Sequence, residues 1–326
     1  MSSDGGHRRV EPPCRDHLAL PGTGPEGSFN FRDIGAPRPG CRSGIRRGLV
    51  YRCGSLDGLS QSGWEQLAGL QVRTMFDLRT AAERDAEPTS VPASLSLRTV
   101  WLPMWASSGS STITATPEVF SRTASEIAEA VAIDVAGKGS GDVAGKGAAV
   151  PARGAQAETA VGPAQEGRLP PEAARALQAY VSAKESAYSS IAALHQGTFA
   201  RLVAEMAVPG TLPCVIHCSA GKDRTGIAAA VLLRLAGTSC KYVVGDYLAS
   251  RLRPSARRVD RYLPGLQQLG VPLEQFLQPY GGHVPALRSA FDVMERRGGA
   301  VAGYLARGGL RPEQLEQALN AIARSA

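Results

Sequence analysis

The stretch from Pro213 to Leu235 constrains the fold more than any other part of the chain. An apolar strand, Cys214-Val215-Ile216, runs into His217-Cys218-Ser219-Ala220-Gly221-Lys222-Asp223-Arg224-Thr225-Gly226, and a strongly apolar helix follows from Thr225 to Leu235. A strand that passes straight into a helix is half of a β-α unit, the building block of α/β folds. It places the connecting loop at the C-terminal end of a sheet strand, where open α/β sheets bind ligands.

The rest of the chain agrees with that class. Gly48 to Arg52 has the composition of a short strand. Ser60 to Leu70 has the marks of a helix: Ser60 is a capping residue, and Trp64, Leu67 and Leu70 recur at helical spacing. Val72 to Leu78 and Leu95 to Leu102 read as two further strands. Thr116-Pro117-Glu118 combines a cap with a proline at the first helical position, so a helix is predicted from there to Ile133. Two helices are predicted over Pro171 to Met206, with Leu177, Tyr180, Val181, Tyr188, Ile191, Leu194, Phe199 and Leu202 as apolar anchors. Helices continue from Lys241 and end with Pro312 to Ile322. The predicted fold is α/β: a central, largely parallel sheet flanked by helices on both faces.

Two segments stand apart. Residues 1–26 are rich in Pro, Gly and charge and read as a disordered tail. Asp134-Val135-Ala136-Gly137-Lys138-Gly139 is repeated as Asp142-Val143-Ala144-Gly145-Lys146-Gly147, inside an Ala/Gly/Pro-rich stretch that reads as a disordered insertion over 134–170. Its Gly-Lys pairs lack the strand before and the helix after that a phosphate-binding loop needs. The remainder, 27–326, reads as one domain, a size open to a single α/β domain with insertions in a chain of 326 residues.

Composition narrows the class of partner. The net charge is +7, but no long Lys/Arg run concentrates it. The densest clusters are Arg42–Arg47 and Arg251–Arg258. Scattered solvated charge accounts for this, and an anionic substrate is compatible with it; nucleic acid is not indicated. The six cysteines form no Cys-x-x-Cys pair and no zinc spacing, which points to a reducing compartment and to no bound metal. The polar N-terminus and the lack of a long apolar run predict a cytoplasmic protein without a membrane-spanning helix.

The chemistry sits in the loop. Cys-x5-Arg occurs twice, as Cys41…Arg47 and as Cys218…Arg224, so the spacing alone carries little. Context separates them: Cys41 follows Pro37, Arg38, Pro39 and Gly40, and no helix follows it. Around Cys218 every neighbour has a task in holding a tetrahedral dianion. Gly221 lets the backbone of Ser219, Ala220, Gly221 and Lys222 turn and approach closely. The helix after the loop aims its positive end at the same point. Arg224 offers a planar fork for two oxygens. The same positive elements stabilise a thiolate, so Cys218 is suited to act as a nucleophile, with the Thr225 hydroxyl placed to donate to its sulfur. His217 orients the loop through backbone contacts.

Residues 217–226 resemble the signature loop of the cysteine-based protein tyrosine phosphatase superfamily, and the Lys222-Asp223 pair resembles its bacterial branch, which acts on phosphotyrosine and on phosphoinositides. Phe29-Asn30-Phe31-Arg32-Asp33-Ile34-Gly35, Tyr51-Arg52-Cys53-Gly54-Ser55-Leu56, Asp77-Leu78-Arg79-Thr80 with Glu83, and Asp246-Tyr247-Leu248 resemble further blocks of that branch. Ala36 and Cys53 depart from its usual Gly and Ser. The resemblance implies a phosphatase without cofactor or metal, acting as a monomer on a phosphorylated protein or a phosphoinositide, with helical lids over the pocket. It implies Asp223 as the general acid, its pKa raised by a bound phosphate dianion; Asp77 is the rival. The nearest approach to a Trp-Pro-Asp loop, Trp101-Leu102-Pro103-Met104, lacks the acid. Lys222 either meets further phosphates or balances Asp223. Arg32 and Asp33 brace or line the pocket, Arg79 and Glu83 form an i,i+4 ion pair or a catalytic couple, and Asp246 braces the loop or an arginine. Two other readings of the loop are arsenate reduction, with Cys214 as a relay thiol, and a phosphate-binding module without turnover.

Overall fold

The computed structural model describes residues 24–35, 44–106, 169–252, 259–296 and 300–323, and only the backbone of Leu252 and Arg261. Residues 1–23, Cys41, the helix predicted from Thr116 to Ile133 and residues 134–168 of the insertion lie outside the described residues.

Among the described residues five strands and eleven α-helices alternate at first and give way to helices alone after the fifth strand. Strands β1 (Arg32–Asp33) and β2 (Val50–Cys53) lead to helix α1 (Gln61–Gly69) and strand β3 (Thr74–Asp77). Helix α2 (Ala81–Ala86) and strand β4 (Arg98–Trp101) follow. Helices α3 (Pro171–Leu194) and α4 (Gln196–Met206) precede strand β5 (Cys214–His217) and helix α5 (Asp223–Leu235). Then come α6 (Cys240–Ala249), α7 (Leu263–Gln268), α8 (Leu273–Gly281), α9 (Val284–Glu295), α10 (Val301–Arg307) and α11 (Pro312–Ile322).

The sheet order is β1-β2-β5-β3-β4, with β1 antiparallel to β2 and every other pair parallel. Strand β5 is therefore central, and the loop after it is flanked by the ends of β2 and β3. Side chains alternate across the pleat. Val50, Phe76, Cys214 and Ile216 enter the main core with α4, α5 and the C-terminal helices. Tyr51, Cys53, Met75 and Val215 turn the other way, onto Trp64 and Leu67 of α1. A third cluster is separate: Ala173, Ala176 and Tyr180 of α3 pack with Tyr262, Leu266, Phe276 and Tyr280. It forms a small aromatic cap of helices beside the loop.

Local physics explains most boundaries. The Ser60 hydroxyl accepts from the Gly63 amide and caps α1 as expected. Glu26, assigned to the tail by composition, instead accepts from Ser60 through both its carbonyl and its side chain. Helix α2 has no buried residue, so it shows no apolar period; a capping box of Thr80 with Glu83 starts it. Helix α5 begins two residues earlier than its apolar run, at Asp223. Along α3 the buried positions are Ala173, Ala176, Tyr180, Lys184, Tyr188, Ile191 and Ala192, while Leu194, expected as an anchor, is 52% exposed. Among the described residues no helix is long and apolar enough to cross a membrane.

One buried carboxylate ties these parts together. Asp246 on α6 accepts from Arg32 Nε at 2.7 Å and from Arg52 Nη1 at 2.5 Å. Arg32 also donates to the Asp246 carbonyl and to Ser250 Oγ, which joins β1 to the end of α6. Arg32 and Asp246 are thus braces, and so is Asp33, which accepts from the Gly35 and Gly48 amides. Burial opposes the charge on Asp246, but Arg32 and Arg52 outweigh it and hold the pKa at about 2. That value lies below the unfolded one, about 3.9. The ion pair therefore adds stability above pH 4 and loses it as pH falls toward 2. Asp246→Asn should cost about 3 kcal/mol at neutral pH by leaving two buried guanidinium groups under-compensated. Urea unfolding from pH 7 to pH 2 should show the difference from wild type shrinking through that acidic window; a difference independent of pH would show that the charge of Asp246 is not what stabilises.

Candidate active site

The loop from Cys218 to Lys222 leaves the C-terminal end of the central strand, and its shape is imposed from outside. The Ser219 carbonyl accepts from the Ser55 amide at 3.1 Å. The Ala220 and Gly221 carbonyls accept from Asn30 Nδ2 at 3.4 and 2.7 Å. Arg52 Nη2 reaches the Gly221 carbonyl at 2.8 Å and the Lys222 carbonyl at 3.4 Å. Four successive carbonyls are thus drawn outward. Because a trans peptide unit points its N–H opposite to its C=O, the amides of Ala220, Gly221, Lys222 and Asp223 turn to the inside. That is a cradle for an anion.

Gly221 is required for this path. Its φ is +65°, and a Cβ there would lie 2.2 Å from the Cys53 carbonyl oxygen. The sequence assigned this glycine to the approach of an anion; the structure shows that it also admits the end of β2. Helix α5 then starts with Lys222 as its N-cap, which makes no side-chain capping bond. The positive end of a long helix is therefore directed at the cradle.

Cys218 is 2% exposed and packs with the main core. The Thr225 hydroxyl, expected to donate to the Cys218 sulfur, has no hydrogen-bond partner among the described residues. His217 is fully buried: burial pushes its pKa down to about 4 against the pull of Asp77, so the ring is neutral. Its Nδ1 lies 3.4 Å from the Cys218 carbonyl, and its Nε2 lies 3.7 Å from Asp77 Oδ1.

Glu83 departs from expectation. It does not pair with Arg79 four residues back. From the first turn of α2 it accepts from Arg224 Nη1 and Nη2, both at 2.5 Å, and from Ser219 Oγ at 2.6 Å. Burial opposes its charge, and the bonds from Arg224 and Ser219 outweigh that and lower its pKa. Arg224 Nη1 also meets the carbonyls of Leu78 and Met104. With the end of the guanidinium held by Glu83, its side edge, Nε with Nη2, is the one left to grip an anion. Ser219 contributes its backbone to the cradle, while its hydroxyl belongs to Glu83.

Arg79 pairs instead with Asp77, at 2.8 Å, and donates to the Glu87 carbonyl and Thr89. Arg84 and His217 complete the surroundings of Asp77. Burial opposes the charge on Asp77, but His217 and Arg79 prevail and lower its pKa. The rival acid is thus a buried carboxylate that already has Arg79, Arg84 and His217 around it. On the Trp101-Leu102-Pro103-Met104 segment, Trp101 Nε1 donates to the Arg79 carbonyl.

Asp223 is buried in the first turn of α5. Its Oδ1 accepts from Tyr188 Oη at 2.6 Å and lies 3.2 Å from Lys184 Nζ. Its Oδ2 lies 3.6 Å from Lys222 Nζ. Burial opposes its ionisation, yet Lys184, Lys222 and the Tyr188 bond hold the pKa at about 2. The raised pKa expected of a general acid is therefore not a property of this arrangement by itself; a phosphate dianion beside it would have to supply the rise. The Lys222 ammonium also stands over the Tyr280 ring, 3.2 Å from its centroid.

Sequence reasoning missed Asn30, Arg52, Lys184 and Tyr188 as functional positions and misplaced Glu83. Asn30 and Arg52 lie in blocks of recognisable resemblance, and Asn30 has a left-handed φ of +55°. Lys184 carried a different signal, a lysine in the middle of an apolar helical stripe.

A model described as the tyrosine phosphatase family matches residues 24–322. No curated protein matches the chain significantly. If Glu83 holds Arg224 in register, Glu83→Gln should lower kcat/KM for an aryl phosphate about 100-fold while the fold persists. Steady-state kinetics beside circular dichroism checks this; unchanged kinetics would mean that Arg224 needs no such support.

Proposed function

The chain belongs to the tyrosine phosphatase family and is a phosphoric monoester hydrolase, and from that premise we propose that it hydrolyses phosphotyrosine through a cysteinyl-phosphate at Cys218. The observation that carries this reading is the set of four outward-held carbonyls between Cys218 and Arg224. They turn a row of amides toward one point above the sulfur's loop, and Arg224 and the start of α5 converge there.

The reaction divides into two displacements. The Cys218 thiolate attacks phosphorus as the bond to the phenolic oxygen breaks. Asp223 gives its proton to that oxygen, and the phenol leaves. The inward amides and the side edge of Arg224 hold the three equatorial oxygens, where charge is spread in such a transition state. Water then attacks the cysteinyl-phosphate, Asp223 takes a proton from it, and phosphate leaves with the thiolate restored. The negative substrate raises the proton affinity of Asp223 when it binds, which reconciles a pKa of about 2 in this structure with an acid's role.

Lys222 bears on substrate choice. A phosphoinositide carries further phosphates, and Lys222 is the residue through which they would be met. Its charge here is shared between the Asp223 carboxylate and the Tyr280 ring. That supports its role as a balance for Asp223 and favours phosphotyrosine; phosphoinositide and dual-specificity activity are the alternative. The same reading places the protein as a cytoplasmic monomer acting on phosphorylated proteins, in one domain over 27–326.

Side-by-side assay of phosphotyrosine peptides, phosphoserine peptides and phosphoinositides in EDTA tests the proposal. Cys218→Ser should abolish turnover. Asp223→Asn should lower kcat about 100-fold or more for phosphotyrosine and much less for p-nitrophenyl phosphate, whose leaving group needs little protonation. Full activity of Cys218→Ser would refute the covalent route, and preference for a phosphoinositide would reverse the substrate assignment.

A further inference from the structure

Lys184 is 2% exposed, on the face of α3 that is otherwise apolar. A buried ammonium is costly unless every proton finds an acceptor. This one finds three: the carbonyls of Pro279 at 2.8 Å and Tyr280 at 3.0 Å, and Asp223 Oδ1 at 3.2 Å. The two carbonyls close the last turn of α8. The carboxylate belongs to the catalytic loop's helix. Lys184 therefore joins the aromatic cap to the one acid inside the signature loop.

The two oxygens of Asp223 are not equivalent. Oδ1 receives both the Tyr188 hydroxyl and Lys184, and a carboxyl proton there would displace one of them. Among the described residues, Oδ2 has the longer contact, with Lys222 at 3.6 Å. We propose that Lys184 is a positioning residue for proton transfer: it pins Oδ1 of Asp223, assigns the mobile proton to Oδ2, and sets how strongly that proton is held according to how α8 is seated. This rests on Asp223 being the general acid.

The other charged and titratable groups around Asp223 are consistent with that assignment. Lys222 comes from the loop and Arg224 from α5, and both carry positive charge. From α3, Tyr188 donates directly, and Tyr180 lies close enough to interact electrostatically. From α6, Tyr247 meets the Tyr188 hydroxyl at 2.8 Å and is itself held by the His283 amide at 3.0 Å. From α8, Tyr280 covers Lys222. Lys184 is bonded both to the carboxylate and to the cap's backbone.

The test uses the full chain and two readouts. One is the titration of the Asp223 carboxyl, followed by 13C NMR and assigned with Asp223→Asn. The other is the basic limb of the pH profile of kcat on an alkyl-substituted phenyl phosphate, a poor leaving group. Lys184→Met should move both upward by about one pH unit, and Lys184→Arg should bring both back most of the way. Tyr188→Phe keeps the charge of Lys184 and should move both upward by about half as much, which covers the case in which Lys184→Met does not fold. If neither readout moves in the folded variants, Lys184 only braces the cap, and the proposal fails while Asp223 remains the acid. If the carboxyl titration moves but the limb stays, or if Asp223→Asn keeps the limb, Asp223 is not the acid, and the proposal falls with that reading.

Discussion

The carboxylate of Asp246, buried between Arg32 and Arg52, is the interaction on which the rest of the architecture depends. Without it two guanidinium groups would be stranded in the interior, which is far more costly than an unmade surface pair. With it, β1, β2 and α6 are fixed to one another, and Arg52 is held where its second nitrogen grips the Gly221 and Lys222 carbonyls. The brace and the cradle are one network. Charge deep in the fold is here the means by which a loop's peptide groups are oriented.

A second consequence concerns how the site tolerates so many like charges. Arg224, Lys222 and Lys184 converge on a small buried volume, and each has a carboxylate in contact: Glu83 for Arg224, Asp223 for both lysines. Neutralising pairs let the three cations be buried together. The geometry of Glu83 is the informative case. By holding the end of the Arg224 guanidinium, it both cancels part of the charge and fixes the plane of the fork.

Much of the frame was legible in the sequence because it is written locally. The apolar run of Cys214-Val215-Ile216, the helix that follows Arg224 and the Ser60 cap are decided by neighbours within a turn or a strand. The strand-loop-helix setting of Cys218 was legible for the same reason. What sequence spacing misassigned was pairing. Arg79 and Glu83 are at the right interval for a helical ion pair, yet Arg79 precedes the first helical residue, Ala81, and turns back to Asp77. Glu83 finds its arginine 141 residues away. Lys184 reads as a solvated charge until its stripe of buried neighbours is seen, and its acceptors lie in an element some 95 residues on. Partner choice across such distances belongs to the tertiary fold and leaves no periodic trace.

The span of the central brace has a bearing on how the chain comes to be made. Arg52 and Arg32 precede Asp246 by 194 and 214 residues. During synthesis from the N-terminus, the first two strands emerge long before their counter-charge, and contacts of such separation form slowly. Until α6 leaves the ribosome, those strands carry two arginines that must stay hydrated, so the first half of the sheet cannot settle into a finished interior. The signature loop emerges before α6 as well. A nascent chain can therefore carry Cys218 and Arg224 without the scaffold that holds their loop, and that scaffold is complete only once α6 supplies Asp246.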